Sequence, residues 1–256
     1  MNLLLADATS SYTAVAGGLS IDSLTYYMFW IATVCMGAGT VFFFLERSNV
    51  PAKYRTTLTV SGLITGIACF HYFRMAAIYE GGGFPTEYRY IDWIITTPLM
   101  LIKFPLLLGL GAKGKKLFAQ LIALDLVMVA TAYIAEVSTV GGGVWWSFFL
   151  IACVAEALIV ATLYFQMKDA ILDAPRPISK SVRLMRTFIL VGWAIYPIGF
   201  LMALTGDSGG ALRELFYNVA DIINKVGFGL VAYQGIKAIA EVDRSLGLSK
   251  EEAATA

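Results

Sequence analysis

Asp221 and Lys225 stand four residues apart inside an apolar run, which on a helix puts them one turn apart on the same face. Ionisable side chains in a hydrocarbon core cost roughly 2.5–3.5 kcal/mol each on insertion scales, so those that persist are usually paired or used. A lysine this deep keeps its charge only beside a carboxylate, unless its nitrogen is committed to an imine. A structural ion pair and a reactive amine both fit the spacing. A second set narrows the choice. Arg89, Asp92, Thr96 and Lys103 fall at offsets −3, 0, +4 and +11, and at about 100° and 1.5 Å per residue Lys103 is only about 20° round from Asp92 and ~16 Å further along the axis. One stripe therefore carries a cation, a carboxylate, a hydroxyl and an amine in line, an arrangement suited to proton traffic through a helix bundle. His71, Arg74, Asp125, Glu156 and Arg213 are further ionisable residues in apolar surroundings.

These residues need helices that cross a membrane to hold them. Of 256 residues 58% are hydrophobic and 14% charged, and the mean hydropathy is +0.72, far above that of a water-soluble domain. Spans of about 20 residues are predicted at 26–46, 57–79, 88–110, 116–136, 144–166, 184–205 and 212–239. The expected fold is an all-α, seven-transmembrane-helix bundle over 26–239, preceded by an extracellular segment 1–25 and followed by a cytoplasmic tail 240–256, with no room for a separate soluble catalytic domain. Basic connectors stay in the cytoplasm. Arg47, Lys53 and Arg55, then Lys113, Lys115 and Lys116, then Lys168, Arg176, Lys180, Arg183 and Arg186, then Lys237, Arg244 and Lys250 all fall on one side, whereas the other connectors are Gly-rich and acidic. The N-terminus is therefore expected outside and the C-terminus in the cytoplasm. A cleaved signal peptide is not expected, because the Leu3 to Ala6 run is short and no basic segment precedes it.

Cys35, Cys69 and Cys153 lie in separate spans at unrelated spacings and read as free thiols. No metal motif is present in the sequence, and the expected partners are membrane lipid and protons, not nucleic acid. Pro98 falls inside the third span, where neighbouring hydroxyls can meet the carbonyl it frees. Asp125 and Glu156 are expected to make interhelical hydrogen bonds, possible for neutral acids.

The segment from Arg89 to Met100, RYIDWIITTPLM, resembles the third helix of the proteorhodopsin group of microbial rhodopsins. Gly192 to Pro197 is similar to the family's sixth helix, and Asn218 to Gly229 to its retinal-binding seventh. The resemblance covers essentially the whole chain, with the helices in the right order. The resemblance implies that Lys225 forms a Schiff base with all-trans retinal, that Asp92 and Asp221 are its counterions, and that Asp92 is the proton acceptor. It implies that Arg89 keeps the acceptor ionised and that His71 hydrogen-bonds it, making the pair the titrating unit. Trp93, Thr97, Met100, Trp193, Tyr196, Pro197 and Phe200 match the retinal pocket, with ordinary core packing as the plainer reading of an aromatic such as Phe200. Met100 matches a colour-tuning site at which an apolar residue goes with green absorption.

Lys103 departs from the usual carboxylic proton donor and resembles a subgroup with lysine there. The expectation is a relay, loaded from the cytoplasm after the Schiff base has lost its proton; a lysine snorkelling to the headgroups is the alternative. Phe149 occupies a position where antenna-carrying relatives have glycine, so no carotenoid antenna is expected. Glu136 resembles a carboxylate linked to proton release, and a solvated interfacial residue is the simpler reading. The family implies a bacterial plasma membrane and a homo-oligomer, pentamer or hexamer.

The implied function is a light-driven outward proton pump, a transporter and not an enzyme. A chloride pump would lack Asp92, and sodium-pumping relatives carry Asn, Asp and Gln where this chain has Asp92, Thr96 and Lys103. The rival is a photosensor signalling to a partner protein through the same chromophore. Photocycle speed separates the two.

Overall fold

The computed structural model describes residues 20–206 and 208–245; most of the expected N-terminal segment, and the tail from 246 with Lys250, lie outside the described residues. Among the described residues, seven helices are long and apolar enough to span a membrane: α1 (Ile21–Asn49), α2 (Ala52–Glu80), α3 (Thr86–Leu107), α4 (Gly114–Glu136), α5 (Gly143–Gln166), α6 (Arg176–Thr205) and α7 (Gly209–Ser245). The order matches the hydropathy pattern, and the differences are at the ends. α1 starts at Ile21 and not at 26, because Ser20 caps it, its Oγ accepting from the Ser23 N–H at 3.1 Å. α6 starts at Arg176 and not at 184. Its first turns bury Ile178, Ser181, Val182 and Met185 and expose Arg176, Lys180 and Arg183, so charge conceals a helix that hydropathy alone cannot register.

Successive helices pack side by side from α1 to α5, and α7 closes the ring by packing against both α6 and α1. The exposed side chains on the outside are largely aliphatic or aromatic, Val34, Leu45, Phe70, Val154, Phe165 and Val191 among them, as a lipid-facing surface requires. Cys35, Cys69 and Cys153 are free thiols. Toward the end bearing the basic connectors the interior is apolar, with Leu101, Phe104, Met185 and Phe228 in one cluster. Apart from Lys103, which is buried against Phe228 in that apolar end, the buried charges lie in the middle and toward the opposite end.

Three stretches widen to π-helix: Thr162–Gln166 in α5, Phe188–Gly192 in α6 and Ile222–Gly227 in α7. Such turns often coincide with functional sites. The last two face one another, and Asn224 joins them by donating from Nδ2 to the Gly192 carbonyl at 2.9 Å. A Cβ at Gly192 would collide with the Asn224 amide that this bond pins. Gly192→Ala is therefore expected to cost about 1–3 kcal/mol and, because Asn224 precedes Lys225, to disturb the lysine as well. Thermal denaturation in detergent, with the absorption maximum recorded alongside, checks both effects.

Candidate functional site

Helical spacing brings the two charged stripes together. On α3, Arg89, Asp92, Thr96 and Lys103 are all fully buried. On α7, Lys225 lies in the π-helical segment one turn beyond Asp221. Lys225 Nζ donates to Asp92 Oδ2 at 2.5 Å and to Asp221 Oδ2 at 2.6 Å.

The two carboxylates differ in their other partners. Asp221 also accepts from Tyr72 Oη at 2.8 Å, Tyr196 Oη at 2.5 Å and Trp93 Nε1 at 3.2 Å. Among the described residues the Asp92 carboxylate accepts from Lys225 alone, and its buried Oδ1 has no hydrogen-bond partner. The expected histidine is adjacent, with His71 Nδ1 3.5 Å from Asp92 Oδ1. That nitrogen is 2.9 Å from the Ile67 carbonyl on its own helix, so the backbone competes for it and the anticipated hydrogen bond to Asp92 is not formed. Thr96 likewise spends its hydroxyl proton on the Asp92 carbonyl at 2.9 Å.

Arg89, expected to keep Asp92 ionised, makes no direct bond to it among the described residues. Its guanidinium donates to Glu214 Oε2 from Nη2 at 2.6 Å and from Nε at 3.2 Å, to Asn218 Oδ1 at 2.8 Å and to Tyr72 Oη at 3.1 Å. Tyr72 thus couples Arg89 to Asp221. Arg213 lies 3.3 Å from Glu214 and 3.5 Å from Glu136. Glu136 is buried and not solvated, because Tyr90 and Tyr217 donate to it at 2.9 and 3.4 Å and Thr86 at 3.4 Å. Among the residues holding this network, Tyr72, Glu214 and Asn218 do not stand out in the sequence. A signal for two of them exists: Glu214, Asn218, Asp221 and Lys225 follow the i, i+4, i+7, i+11 pattern of one helix face.

Lys103 does not snorkel. It is fully buried, its Nζ has no hydrogen-bond partner among the described residues, and it lies 4.5 Å from the centroid of the Phe228 ring. Asp125 makes the interhelical bond expected of it, accepting from Thr97 Oγ1 at 2.9 Å. Glu156 makes none among the described residues.

A cavity opens beside Lys225, lined on its way by Trp93, Thr97, Met100, Trp193, Tyr196, Pro197 and Phe200, and also by Met128, Phe149, Cys153 and Glu156. All seven side chains expected to hold a chromophore therefore reach it. Its walls are mostly apolar and aromatic, with an amine flanked by two carboxylates in one place. That chemistry suits a polyene aldehyde such as retinal, which needs a primary amine, negative charge beside the resulting imine and a dry lining for the rest.

Known proteins show the same arrangement of chain. Residues 23–239 match the family model described as "Bacteriorhodopsin-like protein". The green-light absorbing proteorhodopsin of Gamma-proteobacterium EBAC31A08 is 39% identical over 238 residues, covering 90% of this chain and 94% of that protein. The crystal structure of Exiguobacterium sibiricum rhodopsin superposes with a TM-score of 0.79 at 44% identity, over 85% of this chain and 98% of that one. Xanthorhodopsin, described as a light-driven ion pump with dual chromophore, gives a TM-score of 0.81 at 30% identity over 90% and 97% of the two chains. With the family model matched across all seven helices and the buried lysine opening on a fitting cavity, the chain belongs to the bacteriorhodopsin-like family of retinal-carrying membrane proteins.

Proposed function

We propose that this protein is a light-driven outward proton pump in which Lys225 carries retinal, Asp92 accepts the proton and Lys103 returns one from the cytoplasm. The carrying observation is the unequal hydrogen bonding of the two carboxylates. Asp221 has three neutral donors besides Lys225, which hold it as an anion. Asp92 Oδ2 touches Nζ at 2.5 Å while Oδ1 is unpartnered, so Asp92 is the carboxylate free to take a proton and keep it. Retinal bound as an imine at Nζ would supply light absorption and an isomerisation that alters the proton affinity and access of that nitrogen.

The residues then divide the work. Asp221, Tyr72 and Tyr196 keep a fixed negative charge beside Nζ while Asp92 is neutralised. His71, in contact with Asp92 Oδ1, is placed to tune the acceptor. The Arg89–Glu214 pair occupies the side of the bundle away from the basic connectors, which the distribution of Lys and Arg makes extracellular. Lys103 faces the other way, in an apolar pocket with no acceptor to hold a proton on it at rest. It acts as a relay, taking a proton from the cytoplasmic side and passing it inward. Lys103→Ala is expected to slow reprotonation of Nζ by roughly a hundredfold, as loss of a positioned proton donor does, and to make it depend steeply on bulk pH. Flash photolysis across a pH series measures this, and an unchanged rate and pH dependence would remove Lys103 from the path.

Phe149 supports a single chromophore. Its ring stacks on Phe200 at 4.8 Å and 5° and lines the cavity, putting a bulky side chain where antenna-carrying relatives have glycine.

The test of the whole reading is the light-induced pH change of weakly buffered cells expressing the protein with added retinal. Reversible acidification abolished by a protonophore establishes outward pumping. A coloured protein that moves no protons transfers the function to sensing.

A further inference from the structure

Glu156 is the one carboxylate on the cavity wall that the proton path leaves unused. Asp221 is held by Lys225 and three neutral donors, and Asp125, nearby on α4, is bonded by Thr97. Glu156 lines the same cavity yet makes no hydrogen bond or ion pair among the described residues. The same wall also includes Met128, Phe149, Ala152, Cys153, Trp193 and Pro197, and none of them donates a hydrogen bond to Glu156. A polar group facing an apolar cavity without a protein partner calls for one from elsewhere. The place matters too. Glu156 belongs to α5, which packs along α4, whereas Lys225 belongs to α7. A chromophore joined to Lys225 by its aldehyde carries its ring away from Lys225, toward other walls.

We propose that Glu156 forms a polar subsite that accepts a hydrogen bond from a hydroxyl on the chromophore's ring, so that the apo-protein takes a ring-hydroxylated retinal in preference to retinal itself. The proposal rests on the retinal reading given above. Such selectivity follows from the asymmetry of buried hydrogen bonds: a ligand that satisfies the carboxylate gains, and one that leaves it dry does not.

The experiment is a competition. Apo-protein in lipid nanodiscs receives an equimolar mixture of all-trans retinal with its 3-hydroxy or 4-hydroxy derivative, and the bound aldehydes are extracted as oximes and quantified. The wild type is expected to enrich one hydroxylated form roughly tenfold. Glu156→Gln, which keeps an acceptor, retains most of that enrichment, and Glu156→Leu abolishes it. Pigment formation with retinal alone shows that each variant folds. Equal uptake by the wild type, or the same enrichment in Glu156→Leu, overturns the subsite while leaving the retinal reading intact. Failure of the wild type to form a pigment with any of the three aldehydes overturns both.

Discussion

Asp92→Asn forms a coloured protein that no longer acidifies its medium. Asparagine preserves the size of the side chain, and Asp221 still supplies a negative charge 2.6 Å from Lys225 Nζ, so the pigment assembles. What disappears is the only carboxylate oxygen in contact with Nζ that is not already held by neutral donors. Proton release from Nζ is expected to slow by at least a hundredfold, the low end of what a positioned base contributes. Proton flux in liposomes and the transient absorption of the deprotonated pigment measure the loss separately. Acidification at the wild-type rate would transfer the acceptor role to Asp221.

Arg89→Gln is expected to destabilise the protein by about 3–5 kcal/mol, the usual consequence of removing one partner of a buried ion pair. Both members of the Arg89–Glu214 pair are fully buried, and Asn218 and Tyr72 would lose their donor as well. Arg213, 3.3 Å from Glu214, compensates in part. The double variant Arg89→Gln with Glu214→Gln should recover most of the loss, since no uncompensated charge is left behind. Thermal bleaching of the single and double variants in detergent decides it. A single variant as stable as the wild type would show that Arg213 alone can balance Glu214.

The sequence displays most of this architecture because a membrane removes alternatives. Apolar length marks the seven spans, and the period of 3.6 residues puts Arg89, Asp92, Thr96 and Lys103 on one stripe, all of which the structure buries. Helix ends are harder to read where polar residues are themselves helical, as at Arg176 to Arg186 on α6. Partnership between helices is harder still. The position of Arg89 next to Asp92 on α3 suggests a mutual interaction, yet the guanidinium is long enough to reach across to α7 and finds Glu214 and Asn218 there. Glu136 sits at a helix end, where solvent is the natural expectation. Its burial depends on Tyr90, Tyr217 and Arg213 arriving from two other helices, which no local pattern encodes. His71 falls between these cases: its proximity to Asp92 is legible from the resemblance, but the pull of the Ile67 carbonyl is a property of its own backbone.

The short contact between Lys225 and Asp92 has an electrical consequence. A proton passing from Nζ to Oδ2 moves across only 2.5 Å and leaves the total charge of the buried cluster unchanged, so the transmembrane field does almost no work on that step. The proposed refilling step runs from Lys103 to Nζ, which lies beside Asp92, and the axial rise between Asp92 and Lys103 is ~16 Å, about half of a hydrocarbon core of about 30 Å. A charge crossing a full membrane at 100 mV exchanges about 2.3 kcal/mol with the field, and half of that is about 1.2 kcal/mol, at most about a sevenfold change in rate. If protons follow the proposed path, an energised membrane that opposes the pump brakes refilling from Lys103 and hardly affects the first proton transfer.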